Sequence, residues 1–217
     1  MNKSPEDYLK NIYAVKETAG KVTTSLLAVK MKISAPAVSD MVSKLAKSGY
    51  IKNKPYKGFE LTKKGEETAI NLVRKHRIWE VFLMEKLSFD WNKVHEEAEK
   101  LEHSSSDELI ARLEEYLAFP KFDPHGHPIP DRNGRISRED VVPCTELGIG
   151  DKAVIREVSD SNPEVLEYLT KVGLKLNDTI EVAERINFDN SVQITSGGNK
   201  VFLSEKLAEN IYVLRKN

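Results

Sequence analysis

Apolar residues return every three or four positions near the start of the chain, at Leu9, Ile12 and Tyr13. That is the period of a helix with one buried face, here over about 5–18. Ser4 is placed to cap it, Pro5 stands at its first turn, and Asp7 supplies the acid expected at N3. A second helix opens at Thr23 or Thr24 and runs through Leu26, Leu27, Val29 and Met31. A third follows over about 35–48, with Val38, Met41, Val42 and Leu45 inward, Ser34 before it and Gly49 behind it. Two short strands, 50–54 and 59–62, then flank a Pro/Gly turn and predict a hairpin. Helix, helix, turn, helix and hairpin is the layout of a winged helix-turn-helix, whose third helix reads DNA.

Beyond it the pattern predicts a long helix over 65–87, apolar nearly all round from Ile78 onward. Such a helix should be buried on more than one side, which points to a two-fold homodimer. A helix over 94–103 carries an apolar stripe of Val94, Ala98 and Leu101. His95, Glu99, Glu102 and His103 share its neighbouring face. One more amphipathic helix is predicted over 106–117, whereas 119–130 holds four prolines and cannot be regular. From Val141 the chain turns to short β-branched runs at 152–158, 179–183, 191–195 and 201–203, with one helix at 163–172. These predict a small barrel. The fold class is therefore mainly α with a small β domain, divided as 1–64, 65–140 and 141–217.

Composition changes this picture in two ways. The 217 residues have a net charge of −1, yet residues 1–75 carry 15 basic against 7 acidic side chains, a net of +8. A basic front end on a neutral chain suits a polyanion partner for that part alone. The single cysteine, Cys144, fits a reducing compartment, and no apolar run of membrane-spanning length occurs, so a cytoplasmic protein without a membrane partner is expected.

Two kinds of candidate chemistry emerge. On the third helix Ser34, Ala35, Pro36, Ala37, Ser39, Asp40 and Lys44 form the outward side, small enough for close approach to base edges. Lys54 and Lys57 of the hairpin are placed for phosphates. On the 94–103 helix, two imidazoles and two carboxylates beside a buried stripe would be costly unpaired, and a divalent cation is the simplest common partner. Catalytic patterns fit poorly. HEEAE at 95–99 has Glu where a zinc protease needs its second His, and Lys100 stands where a di-metal bundle needs Glu. No enzyme is expected, although a Mn/Fe-dependent hydrolase and a metal-independent winged-helix regulator remain the alternatives.

Several motifs taken in order carry a resemblance: EDYLKNIY at 6–13, SAPAVS at 34–39, RKHR at 74–77, VHEEA at 94–98 followed by Glu102 and His103, PHG at 124–126, and ELGIGD at 146–151. The chain resembles the diphtheria toxin repressor family of metal-dependent transcriptional regulators, most closely its manganese-sensing, three-domain branch. The resemblance implies an SH3-like third domain and a metal-activated homodimeric repressor that controls metal homeostasis on a palindromic DNA operator. It implies a primary metal site of Asp7, His76, Glu99, Glu102 and His103. It also implies a second site of Glu80, Asp123, His125 and Asp160, with His95 as an ancillary ligand. Iron-type members carry Met and Cys where Asp7 and Glu99 stand, so the hard oxygens here favour Mn²⁺, with Fe²⁺ as the alternative. Lys10 replaces a carboxylate that shorter two-metal sensors use, which argues against a binuclear site. His127 is read as a polar loop residue.

Overall fold

The computed structural model describes residues 4–54, 58–160 and 162–216. They divide into two compact units, one of residues 1–76, 102–105 and 130–135, the other of 77–101, 106–129 and 136–217.

The first unit opens with α1 (Pro5–Ala19), α2 (Thr24–Met31) and α3 (Ala35–Lys47). Each helix starts where a hydroxyl can satisfy an orphan amide: Ser4 accepts from Asp7, Thr23 from Leu26 and Ser34 from Ala37. Strands β1 (Ile51–Lys54) and β2 (Gly58–Leu61) pair antiparallel, and Val22 bridges to Phe59. Gly58 makes that approach feasible, because a Cβ there would meet the Val22 carbonyl oxygen at 2.0 Å. The expected turn at Pro55, Tyr56 and Lys57 lies outside the described residues. Leu9, Ile12, Leu27, Val38, Leu45, Ile51, Phe59, Ala69 and Leu72 are buried. Helix α4 (Lys63–Leu87) begins two residues before its expected start, since the Thr62 hydroxyl accepts the Gly65 N–H and caps it.

The boundary between the units falls inside α4, after His76. In the second unit Ile78, Val81 and Leu83 of α4 are buried, while Met84 and Leu87 stay exposed. They pack with α5 (Val94–Leu101) and α6 (Asp107–Tyr116), contributing Val94, Ala98 and Ile110. Residues 119–129 are irregular, as their prolines dictate, with a lone bridge from Phe122 to Pro128. No helix among the described residues is long and apolar enough to cross a membrane.

The rest of this unit is an antiparallel sheet of β3 (Val142–Pro143), β4 (Lys152–Val158), β5 (Thr179–Ile186), β6 (Ser191–Ser196), β7 (Asn199–Leu203) and β8 (Ile211–Arg215). Its order is β3-β8-β4-β5-β6-β7. Helix α7 (Pro163–Val172) covers it with Val165, Leu166 and Leu169, and the short α8 (Glu205–Ala208) precedes β8. The sequence pattern anticipates β4 to β7 and α7 but not β3, α8 or β8. The two-residue β3 is too short for alternation to register, and β8 is defined by its pairing with β4.

Candidate metal centre

The 94–103 stretch does not continue as one α-helix. α5 ends at Leu101, and Glu102–Ser104 winds as a 3-10 turn. The winding there is tighter than the 3.6 residues per turn on which the shared face was projected. The unit boundary falls at the same point, so Glu102 and His103 belong to the first unit, His95 and Glu99 to the second.

In the first unit Asp7, Glu102 and His103 converge, with one ligand atom from each within 4.8 Å of the others. Asp7 uses its two oxygens differently. Oδ2 accepts the Ser4 backbone N–H at 2.7 Å and completes the capping box, whereas Oδ1 lies 2.9 Å from His103 Nε2. The capping role is therefore real, and it also fixes the carboxylate for a second task. His103 Nδ1 lies 2.7 Å from Glu6 Oε2, which orients the ring and leaves Nε2 facing Asp7 and Glu102. That is how a carboxylate behind a ligating imidazole behaves. Burial would lower the His103 pKa, but the Glu6 hydrogen bond and the charges of Glu102 and Asp7 prevail and raise it. Glu102 is fully buried, and its Oε2 lies 2.5 Å from His76 Nδ1. The Lys10 ammonium also reaches it, at 2.8 Å from both oxygens. Neither Glu6 nor Lys10 is a ligand candidate by sequence. Glu6 adjoins Asp7 and Lys10 follows it by three residues, about one helical turn, which is the signal that could have found them.

A second group lies in the other unit. His95 Nδ1 is 3.2 Å from Glu80 Oε1 and 3.2 Å from Asp160 Oδ2, and His125 Nδ1 is 3.7 Å from the same Glu80 oxygen. His125 is set by its neighbours. Its Nε2–H donates to the Trp91 carbonyl at 2.7 Å, and Nδ1 has no hydrogen-bond partner among the described residues. A neutral ring held in that tautomer presents a lone pair on Nδ1. The loop is held close by Gly126, at φ +90, where a Cβ would sit 1.9 Å from the Arg156 carbonyl oxygen. The His125 carbonyl accepts the Val158 N–H at 2.8 Å.

Burial opposes charge on these imidazoles, yet the carboxylates win. His95 is raised to about 10 by hydrogen bonds to Asp160 and Glu80, and His125 is raised chiefly by Glu80. Asp160, raised by burial alone, is driven far below the usual carboxylate range by His95.

Asp123 also offers a ligand atom within 4.8 Å of those of His125 and His127. Its Oδ1 accepts the His125 and His127 backbone N–H groups, and Oδ2 lies 3.0 Å from His127 Nδ1. Arg77 Nε stands 3.5 Å from it. Asp123 thus shapes the histidine loop, and His95 stands beside Glu80 and Asp160. His127 is not a solvated loop residue: it is raised to about 9, since burial is outweighed by Asp123, and its Nε2 faces Glu157 at 3.7 Å. Sequence spacing carried no sign of Glu157 or Trp91, which come from elements far along the chain.

The other expected surface is on α3. Ser34, Pro36, Ala37, Ser39, Asp40 and Lys44 are all exposed, with Lys44 paired to Asp40 at 2.7 Å. Lys54 is exposed on β1 and pairs with Glu60, and Lys57 lies outside the described residues.

Both groups offer oxygen and imidazole nitrogen without sulfur, a donor set suited to a divalent first-row cation. Comparison with known proteins agrees with this chemistry. Residues 1–59 match the iron dependent repressor N-terminal DNA binding domain, 62–131 the iron dependent repressor metal binding and dimerisation domain, and 142–215 the FeoA domain. The diphtheria toxin repressor of Corynebacterium glutamicum is 31% identical over 219 residues, spanning 96% of this chain and 94% of that protein. A manganese-dependent transcriptional repressor in complex with manganese superposes with a TM-score of 0.90 at 33% identity, over 98% of this chain and 100% of that one. ScaR with bound Zn²⁺ superposes at 0.83, also 33% identical, over 99% of this chain and 100% of the other. With winged helix, histidine- and carboxylate-bearing helical segment and SH3-like sheet in this order, the chain belongs to the diphtheria toxin repressor family of metal-dependent transcriptional repressors.

Proposed function

We propose that this DNA-binding, homodimeric repressor is switched by Mn²⁺, with Asp7, His76, Glu99, Glu102 and His103 as the primary ligands. Glu80, His95, His125 and Asp160 form the second site, and Asp123 positions its loop. What carries the reading is one observation: Asp7, on the first helix of the DNA-reading unit, meets Glu102 and His103 from almost a hundred residues further on. When bound, the cation supplies a coordination centre that these donors share. Asp7 is already pinned by the Ser4 N–H, so its remaining oxygen is presented without further ordering. Holding α1 in this way fixes α3, which packs on the same core, for successive major grooves about 34 Å apart in a palindromic operator. Exposed Met84 and Leu87 of α4, with Leu109 and Tyr116 of α6, offer apolar surface for the homodimer.

The preference for Mn²⁺ rests on hard donors and is a matter of geometry and supply, since later transition metals bind most such sites more tightly. Relatives with manganese or zinc are consistent with that competition. The test is binding of the protein to its own upstream DNA by fluorescence anisotropy, with Mn²⁺, Fe²⁺, Zn²⁺ or chelator, for the native chain and Glu99→Ala. Tight binding with Mn²⁺, lost with chelator and with Glu99→Ala, is expected. Equal affinity with metal and chelator would sink the reading in favour of a metal-independent regulator, and Mn²⁺-dependent turnover without DNA would favour a hydrolase.

A further inference from the structure

Lys10 has no part in the ligand set, yet its ammonium sits inside it. Nζ is 2.8 Å from both Glu102 oxygens and 3.3 Å from His76 Nδ1. The same His76 nitrogen lies 2.5 Å from Glu102 Oε2. One imidazole nitrogen cannot accept from the ammonium and donate to the carboxylate at once, so the three groups contest a single small space. Glu102 is entirely buried and the Lys10 side chain is 15% exposed. A carboxylate so enclosed needs a cation, and Lys10 supplies one from within the chain.

We propose that Lys10 is a tethered competitor for the metal. Its ammonium holds Glu102 when no divalent ion is present, and every incoming ion must displace it. Lys10 thereby raises the metal concentration at which the protein responds. This rests on the reading of Asp7, Glu102 and His103 as a metal site. The displaced group has somewhere to go. Glu6 precedes Lys10 by one helical turn in the favourable Glu-to-Lys order, and its carboxylate is half-exposed. The four-carbon stem allows the head to swing out along α1 while its methylenes stay covered. Glu6 can accept Lys10 with one oxygen and keep His103 Nδ1 on the other. The exchange leaves His103 oriented and frees the Glu102 oxygens.

The test is calorimetric titration with Mn²⁺ at fixed pH for the native chain, Lys10→Met, Lys10→Arg and Glu102→Gln, with thermal melts in chelator and in saturating Mn²⁺. Lys10→Met keeps length and helix propensity without the charge, and should bind Mn²⁺ roughly ten- to hundredfold more tightly, the worth of a charge-assisted hydrogen bond. It should also melt lower than the native chain in chelator and converge with it in Mn²⁺. Lys10→Arg, with a fork that grips a carboxylate through two bonds, should bind Mn²⁺ more weakly. Affinities for Met and Arg variants equal to the native value, or a weaker Met variant, overturn the proposal while Glu102-dependent Mn²⁺ binding stands. Native Mn²⁺ binding that Glu102→Gln leaves unchanged removes the metal reading itself, and the proposal with it.

Discussion

The two clusters solve the same electrostatic problem differently. Around Glu102 the charge of a buried carboxylate is met by a lysine ammonium and by imidazole. Around Glu80 it is met by imidazoles, His95 at 3.2 Å and His125 at 3.7 Å. A lysine keeps its charge throughout the physiological range, so the first cluster competes with a metal through a fixed cation. The second competes through protons, because His95 is raised to about 10 and holds a proton that a metal must expel. The lesson is that buried carboxylates in a fold are stabilised by whatever cation the chain provides, and the nature of that cation sets how the cluster responds to pH.

The comparison breaks most severely where its central carboxylate is removed. Glu102→Ala strands Lys10 and His76 around a void, and should cost about 3 kcal/mol in chelator, the usual penalty for breaking a buried pair. Urea denaturation measures it, and the same variant should lose its thermal stabilisation by Mn²⁺. A comparable loss at the other cluster follows from backbone alone. Gly126→Ala must move a Cβ from 1.9 Å off the Arg156 carbonyl at a positive φ, which should cost about 2–4 kcal/mol. Calorimetry should then find binding at the second cluster weakened and the first unchanged, and equal loss at both would refute their independence.

The pH dependence sharpens the contrast at smaller scale. His95 at about 10 and His127 at about 9 are raised above the ordinary value of 6.5. A raised imidazole contributes stability that is fully present below about pH 6.5 and is lost as pH rises through the folded value. Metal-free protein should therefore lose this contribution between about pH 6.5 and pH 10, while metal affinity at the second cluster climbs over the same window. The difference in melting temperature between Mn²⁺ and chelator should widen from pH 6 to pH 9, and a constant difference would count against proton competition. The smallest effect is expected for Trp91→Phe. It deletes the Nε1–H bond to the Thr170 hydroxyl, but His125 still reaches the Trp91 backbone carbonyl. A loss of about 1 kcal/mol in urea denaturation without change in Mn²⁺ affinity is expected.

Local rules settle a large share of the fold from the residues themselves. Ser4 and Ser34 cap the helices they were expected to cap, and of Thr23 and Thr24 it is Thr23 that caps the second, because an N-cap is satisfied within three residues. The β-branched runs at β4 to β7 become strands for an equally local reason: alternation matches one buried face of a sheet. Long-range contacts add what local reading lacks. The face drawn through His95, Glu99, Glu102 and His103 assumed unbroken α-helix, whereas the chain tightens at Glu102, whose carboxylate also meets Lys10 and His76.

The candidate ligands divide along the same line. Their chemical type was legible from sequence, since clustered imidazoles and carboxylates beside an apolar stripe admit few stable fates. Their grouping was not. Asp123 holds its own loop as well, because the backbone N–H groups of His125 and His127 point at its oxygen. Sequence alone determined that this chain carries a winged helix, a histidine- and acid-bearing helical segment and a small β domain, through periodicity and capping that act within a few residues. Only the tertiary structure decided that Asp7 serves cap and cluster at once, and that Lys10 occupies the buried Glu102 carboxylate. Those outcomes depend on side chains almost a hundred residues apart arriving at one point, which no local spacing encodes.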